Sequence, residues 1–154
     1  MSKVTNTVVQ RNDSTLVSRS AVAPVKNYTE YKPSLRHDFF YACAYCTMSE
    51  YEAQAIRFCI DHYEPRNSRP DLINEYENLM YSCDECNSRK GDRCPPPEAR
   101  LQDTRFFRPD SDIRSEHFKY QANNLAGLSN VGYYTIAALD LNRQALKRLR
   151  ELRK

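Results

Sequence analysis

Nowhere in the 154 residues do eighteen apolar residues follow one another, so no transmembrane helix is expected. The first twenty residues, MSKVTNTVVQRNDSTLVSRS, lack the apolar centre of a secretory signal. The chain therefore reads as intracellular and cytoplasmic, with no membrane partner. Internal repeats are missing, and no heptad pattern runs long enough for a coiled coil. Charge excess is small as well, a net of +3. That charge is unevenly spread: residues 1–36 carry a net +4, residues 141–154 a net +5, and the middle segment 37–140 a net −6. A phosphate-binding surface must then use the basic termini and a few local cations; otherwise both ends are merely solvated.

Cysteine is what the chain does have. Of its six, four form two CxxC pairs, Cys43 with Cys46 and Cys83 with Cys86; Cys59 and Cys94 stand alone. In a reducing compartment such pairs point to metal rather than disulfides. A CxxC turn places two thiolates on one side of an ion, and a second turn supplies the other side of the tetrahedron that zinc prefers. Four uncoordinated thiols or a redox dithiol are the competing readings. Redox chemistry would need only one pair, at a helix start after a strand. A simple zinc ribbon separates its pairs by about 15–20 residues. Here 36 residues lie between Cys46 and Cys83, so a structural zinc would staple a longer insertion, and chemistry is to be sought inside it.

That insertion contains Asp61-His62, then Glu77-Asn78-Leu79. Asn87 and Lys90-Gly91-Asp92 follow the second pair. Written out, the pattern CAYC…CIDHYEP…YENLMYSCDECNSRKGD resembles the HNH endonuclease family, in the subgroup whose ββα-metal motif is bracketed by a four-cysteine zinc site. The resemblance covers residues 43–92, about a third of the chain. It implies that His62 is the general base, that Asp61 and Asn87 are ligands of a catalytic divalent metal, and that Asn78 orients the base or braces its loop. Asn87 stands where the family often has His. Lys90 and its neighbour Arg89 are candidate phosphate contacts, with a solvated helix face as the alternative. The chemistry agrees with these roles. A neutral imidazole can take a water proton near pH 7, and a carboxylate with an amide oxygen makes a sparse, hard site suited to Mg²⁺ or Mn²⁺. One geometrical difficulty stands: neighbouring residues on a regular strand point to opposite faces, so Asp61 and His62 can share a site only if the strand ends or distorts there.

Around this motif the elements are short. Residues 1–36 read as an N-terminal arm, partly flexible, with a short strand around Thr15–Val17. The nuclease core is expected over 37–97, with a strand across Ile56–Tyr63, an extended or helical piece across Tyr76–Tyr81, and a helix from the second CxxC to Lys90, stopped by Gly91. Residues 98–154 are expected as a helical extension, beginning with a polar connector in which Phe106 and Phe107 are docking points. A helix capped by Ser129 or Asn130 runs to Leu139, and a last basic helix, capped by Asn142, covers residues 143–154. The C-terminal stretch is similar, more loosely, to the tail of bacterial HNH proteins. Arg143 and Lys147 on the last helix are candidate nucleic-acid contacts.

Together these readings make an α+β protein, a zinc-stapled ββα-metal (HNH) core with a helical C-terminal extension. The function they imply is hydrolysis of DNA phosphodiesters in restriction or phage defence, as a homodimer or with a partner protein in a defence complex. The alternatives are a non-catalytic zinc-bearing nucleic-acid-binding or adaptor module, and an RNase acting within a complex.

Overall fold

The computed structural model describes residues 15–154. The first fourteen residues of the expected arm lie outside the described residues. The rest of that segment is tied to the body. Val17 is buried and its amide donates to the Pro109 carbonyl at 2.7 Å. The Arg19 guanidinium donates to the carbonyls of Tyr76 and Leu79 and pairs with Asp110. No strand forms at Thr15–Val17.

Helix α1 (Lys32–Asp38) carries Pro at its first turn, where a missing N–H costs nothing. It buries Leu35, and Phe39 follows at its end. The chain then turns sharply through Phe40 and Tyr41, both at positive φ, into the first CxxC. Helix α2 (Glu50–Ala53) is one turn, closed by a capping box between Ser49 and Glu52.

Two antiparallel strands, β1 (Phe58–His62) and β2 (Leu79–Cys83), form the central hairpin, with Phe58 opposite Cys83 and His62 opposite Leu79. All five residues of β2 are buried. Helix α3 (Asp84–Lys90) follows without a loop. The Cys83 thiol accepts from the Cys86 amide, and Gly91 at φ 50° ends the helix, a conformation that glycine reaches without Cβ strain. The strand–strand–helix order around the second CxxC is the one expected.

After the one-turn helices α4 (Pro97–Arg100) and α5 (Arg114–His117), the C-terminal third is built on α6 (Asn130–Leu139), capped by Ser129 and lying against α3. Phe106 and Phe107 are buried, and the Phe107 amide donates to the Thr135 hydroxyl within α6. A second hairpin, β3 (Phe118–Gln121) with β4 (Asn124–Gly127), was not anticipated. The last helix α7 runs Gln144–Leu152 and has Arg143 at its cap position. Asn142 does not cap it. Its side-chain amide instead accepts from the Leu125 amide at 2.7 Å and donates to the Leu125 carbonyl at 2.8 Å. An amide carries one acceptor and two donors, so it pairs with a strand backbone as another peptide group would.

Gly132 sits where α6 crosses the chain at His117. A Cβ added there would lie 2.0 Å from the His117 carbonyl oxygen. Gly132→Ala should therefore destabilise the fold by about 3 kcal/mol, as overpacking against fixed backbone does. Chemical denaturation checks this, and an unchanged midpoint would refute the crossing.

Candidate active site and thiolate cluster

The sulfurs of Cys43, Cys46, Cys83 and Cys86 lie within 4.8 Å of one another and are buried. A tetrahedral ion with bonds of about 2.3 Å to sulfur sets its ligands about 3.8 Å apart. The Cys46 and Cys83 sulfurs are 3.8 Å apart. The donor set therefore fits zinc. Four thiolates around Zn²⁺ leave a net negative charge, and Arg143 answers it: its guanidinium lies 3.5 Å from the Cys86 sulfur and also donates to the Leu139 carbonyl. Arg143 was expected to meet nucleic acid; its nitrogens are instead occupied at the edge of the cluster.

Beside the cluster, strand β1 delivers Asp61 and His62. The pairing stays regular to the end of the strand, so the two side chains point to opposite faces. On one face Asp61 is fully enclosed. Its Oδ2 accepts from the Tyr45 hydroxyl at 2.6 Å, and its Oδ1 lies 3.2 Å from the Lys90 ammonium. Desolvation raises its pKa; Lys90 and Tyr45 oppose that without cancelling it. Lys90 itself has no solvent exposure. Besides Asp61 its ammonium donates to the carbonyls of His62 at 2.8 Å and Tyr63 at 3.2 Å, so all three of its donors are used. A buried, fully bonded ammonium is not available to a phosphate, which corrects the expectation for Lys90.

On the other face the His62 ring sits edge-on to Tyr28, with centroids 4.5 Å apart. Its Nε2 lies 3.0 Å from the Ile73 carbonyl. A carbonyl can only accept, so Nε2 carries the proton and Nδ1 holds the lone pair in the neutral ring. Burial lowers the pKa of the ring, and the nearby charges of Arg66 and Lys90 lower it further, although the Ile73 hydrogen bond acts the other way.

Asn78 fastens the loop that supplies this carbonyl. Its Oδ1 accepts from the Glu64 amide, and its Nδ2 donates to the carbonyls of Glu64 and Leu72. The next residue after Leu72 and Ile73, Asn74, accepts from the Tyr28 amide. One loop thus holds both the imidazole and the tyrosine against it. Glu64 is anchored in turn by a two-pronged pair with Arg100 at 2.6 and 2.9 Å.

Asn87 is half-buried on α3. Asp61 and His62, expected at one catalytic centre, do not face it together: Asp61 is enclosed with its charge already matched, and His62 points to the opposite face of the strand. Among the remaining phosphate candidates, Arg89 pairs with Glu85 and Asp140, whereas Lys147 has no ion pair among the described residues. Tyr28, Tyr45 and the Ile73 carbonyl escaped sequence reasoning. Tyr45 carried a usable signal, its place inside the first CxxC. Ile73 acts through its backbone and carried none.

Removing one member of a buried ion pair strands the other. Lys90→Met should cost about 3–5 kcal/mol, and adding Asp61→Asn should recover part of that loss. Urea unfolding of the three proteins checks this; equal stability of Lys90→Met and the parent would refute the pairing.

A model of the HNH endonuclease family matches residues 43–93. The chain is also 28% identical over 100 residues to the Septu protein PtuB of Bacillus thuringiensis, an alignment covering 65% of this chain and 36% of that protein. The chain therefore spans about a third of the length of the relative it matches. Among the described residues no helix is long and apolar enough to cross a membrane. With the thiolate cluster, the hairpin and α3 in the order described, residues 43–93 form a domain of the HNH endonuclease family.

Proposed function

We propose that this domain hydrolyses phosphodiester bonds in DNA, with His62 as the base. The observation that supports this reading is the oriented imidazole: protonated at Nε2 by its contact with the Ile73 carbonyl, lowered in pKa, and with no hydrogen bond to the Nδ1 lone pair among the described residues. In the proposed step Nδ1 takes a proton from water. The water oxygen bonds to phosphorus, the bond to the leaving oxygen breaks, and that oxygen takes a proton from solvent. Asn78 is a positioning residue, since it fixes the loop rather than the reacting atoms. The similarity to a Septu protein supports the expected role in defence, in company with a partner protein.

A Mg²⁺ or Mn²⁺ ion between Asp61 and Asn87 belongs to the sequence-based expectation. It requires Asp61 to part from Lys90. The Asp61–Lys90 pair favours a second reading, a zinc-bearing nucleic-acid-binding or adaptor module.

Nicking of supercoiled plasmid separates the two. The wild type should nick and His62→Ala should not, with zinc content unchanged and the fold retained at a somewhat lower melting temperature; an inactive wild type would leave the binding module. Omitting and restoring Mg²⁺ or Mn²⁺ at constant zinc content tests the second ion, and equal rates would remove it. The pH profile carries a sign. Catalysis needs the neutral ring, and the folded pKa lies below the ordinary 6.5. Activity should therefore persist below pH 6.5 and fall only as the pH drops further; an acid limb above 6.5 would exclude His62 as the base. Stability follows the same direction, because below 6.5 the unfolded chain binds a proton that the buried ring resists.

A further inference from the structure

The face of the hairpin that carries His62 continues through Ile60 to Phe58, since alternate residues share a face. At the Phe58 end it opens into a cavity of about 650 Å³ lined by Lys32, Arg36, Arg57, Glu50 and Tyr81 among others. Three of these are cations and one is an acid. Lys32 donates to the Phe58 carbonyl at 2.9 Å, which leaves two of its three donors. Arg36 shares its charge with Glu50. The exposed Arg57 has no ion-pair partner among the described residues. The Tyr81 ring stacks on Phe58, and its buried hydroxyl makes no well-formed hydrogen bond among the described residues, with the charged groups of Glu50 and Arg36 beside it. A buried hydroxyl without a well-formed bond is open to another partner.

The opposite direction from His62 is the more acidic one. A second cavity, next to Asn78, is lined by Glu64, Asp71, Glu75, Glu77 and Arg108; Arg100 pairs with Glu64 and Arg69 with Asp71, which leaves Glu75 and Glu77 without an ion pair among the described residues. A nucleic-acid strand at His62 finds the larger excess of cations along β1 towards Phe58. Four residue steps along β1 separate the two ends, roughly 13 Å, or about four nucleotide steps along a duplex.

We propose that the cavity formed by Lys32, Arg36, Arg57 and Tyr81 is a phosphate subsite that holds the nucleic-acid backbone a few nucleotides from the bond facing His62. The assignment rests on the nuclease reading for the position of the scissile bond, but its test does not.

The test is binding of a short fluorescent DNA duplex to full-length protein carrying His62→Ala, so that nothing is cut, with affinity measured across a salt series. Arg57→Ala and Lys32→Gln should each weaken binding by about five-fold and reduce the salt slope by about 1, as loss of one phosphate contact does. Tyr81→Phe keeps the stacked ring; it should weaken binding while leaving the melting temperature unchanged or higher. Arg148→Ala, an exposed cation on α7, should have little effect and controls for net charge. Equal losses in the Arg57 and Arg148 variants, undiminished binding in the Arg57 and Lys32 variants, or no DNA binding at all would overturn the subsite. Plasmid nicking by the wild type is scored separately. A nicking enzyme whose affinity ignores Arg57 keeps its activity and loses the subsite; a protein that binds through Arg57 but never nicks keeps the subsite and loses the nuclease reading.

Discussion

Four sulfur atoms drawn within 4.8 Å of one another join the turn after α1 to the junction between β2 and α3, two pieces of chain that the Ala44 amide also links through the Tyr81 carbonyl at 2.8 Å. Sulfur makes weak hydrogen bonds, so the four thiols gain little from one another. Gathered around zinc they would supply folding free energy directly. The consequence is mechanical. Cys83 ends β2 and also caps α3, so fixing its sulfur fixes where the helix starts and which way it points. Lys90, two turns on, is thereby brought beneath the end of β1, where it meets Asp61 and the carbonyls of His62 and Tyr63. The site near His62 inherits its rigidity from the cluster by this route.

The two faces of the hairpin do different work. The inner face is polar but closed, with Tyr45, Asp61 and Lys90 satisfying one another away from water. Such a set adds little net stability over a packed apolar one, yet it is costly to break. It therefore acts as a register device. A one-residue slip of β1 would put His62 against Lys90 and expose Asp61. The opposite face carries a buried imidazole whose two nitrogens are made different by the loop across it, through the Ile73 carbonyl.

Much of this was legible in the sequence because it depends on side-chain identity at fixed spacing. The CxxC pairs, the helix ending at Gly91, the Asn78 brace and the burial of Phe106 and Phe107 are of this kind. What was not legible depends on backbone atoms or on tertiary choice. The Ile73 carbonyl has no letter of its own. Asn142 could satisfy either a helix end or a strand, and only the arrival of Leu125 decides between them. The β3–β4 hairpin is four residues a side and largely exposed on β3, too short for a periodic pattern to stand out. Lys90 reads as a surface residue by type, and nothing short of the fold reveals that Asp61 and two carbonyls wait for it. The strand rule that Asp61 and His62 face apart was stated at the outset, and it held against the shared site that the letters suggested.

That divergence changes how the charge of the domain should be understood. With Asp61 already paired inside, the charges left to the surroundings of His62 are those of the two cavities. On the loop side Glu75 and Glu77 have no ion pair among the described residues, while Glu64 and Asp71 are matched by Arg100 and Arg69; on the α1 side Lys32 and Arg57 have none and Arg36 is matched by Glu50. A middle segment with a net charge of −6 can approach a polyanion only if its negative groups are kept to one side. The same segment that orients the imidazole carries the acids Glu64, Asp71, Glu75 and Glu77 together with Arg66 and Arg69. The orientation of the imidazole and the local balance of charge beside it are thus set by one segment of chain. On the proposed nuclease reading, that local balance matters more to a bound strand than the small net charge of the whole protein.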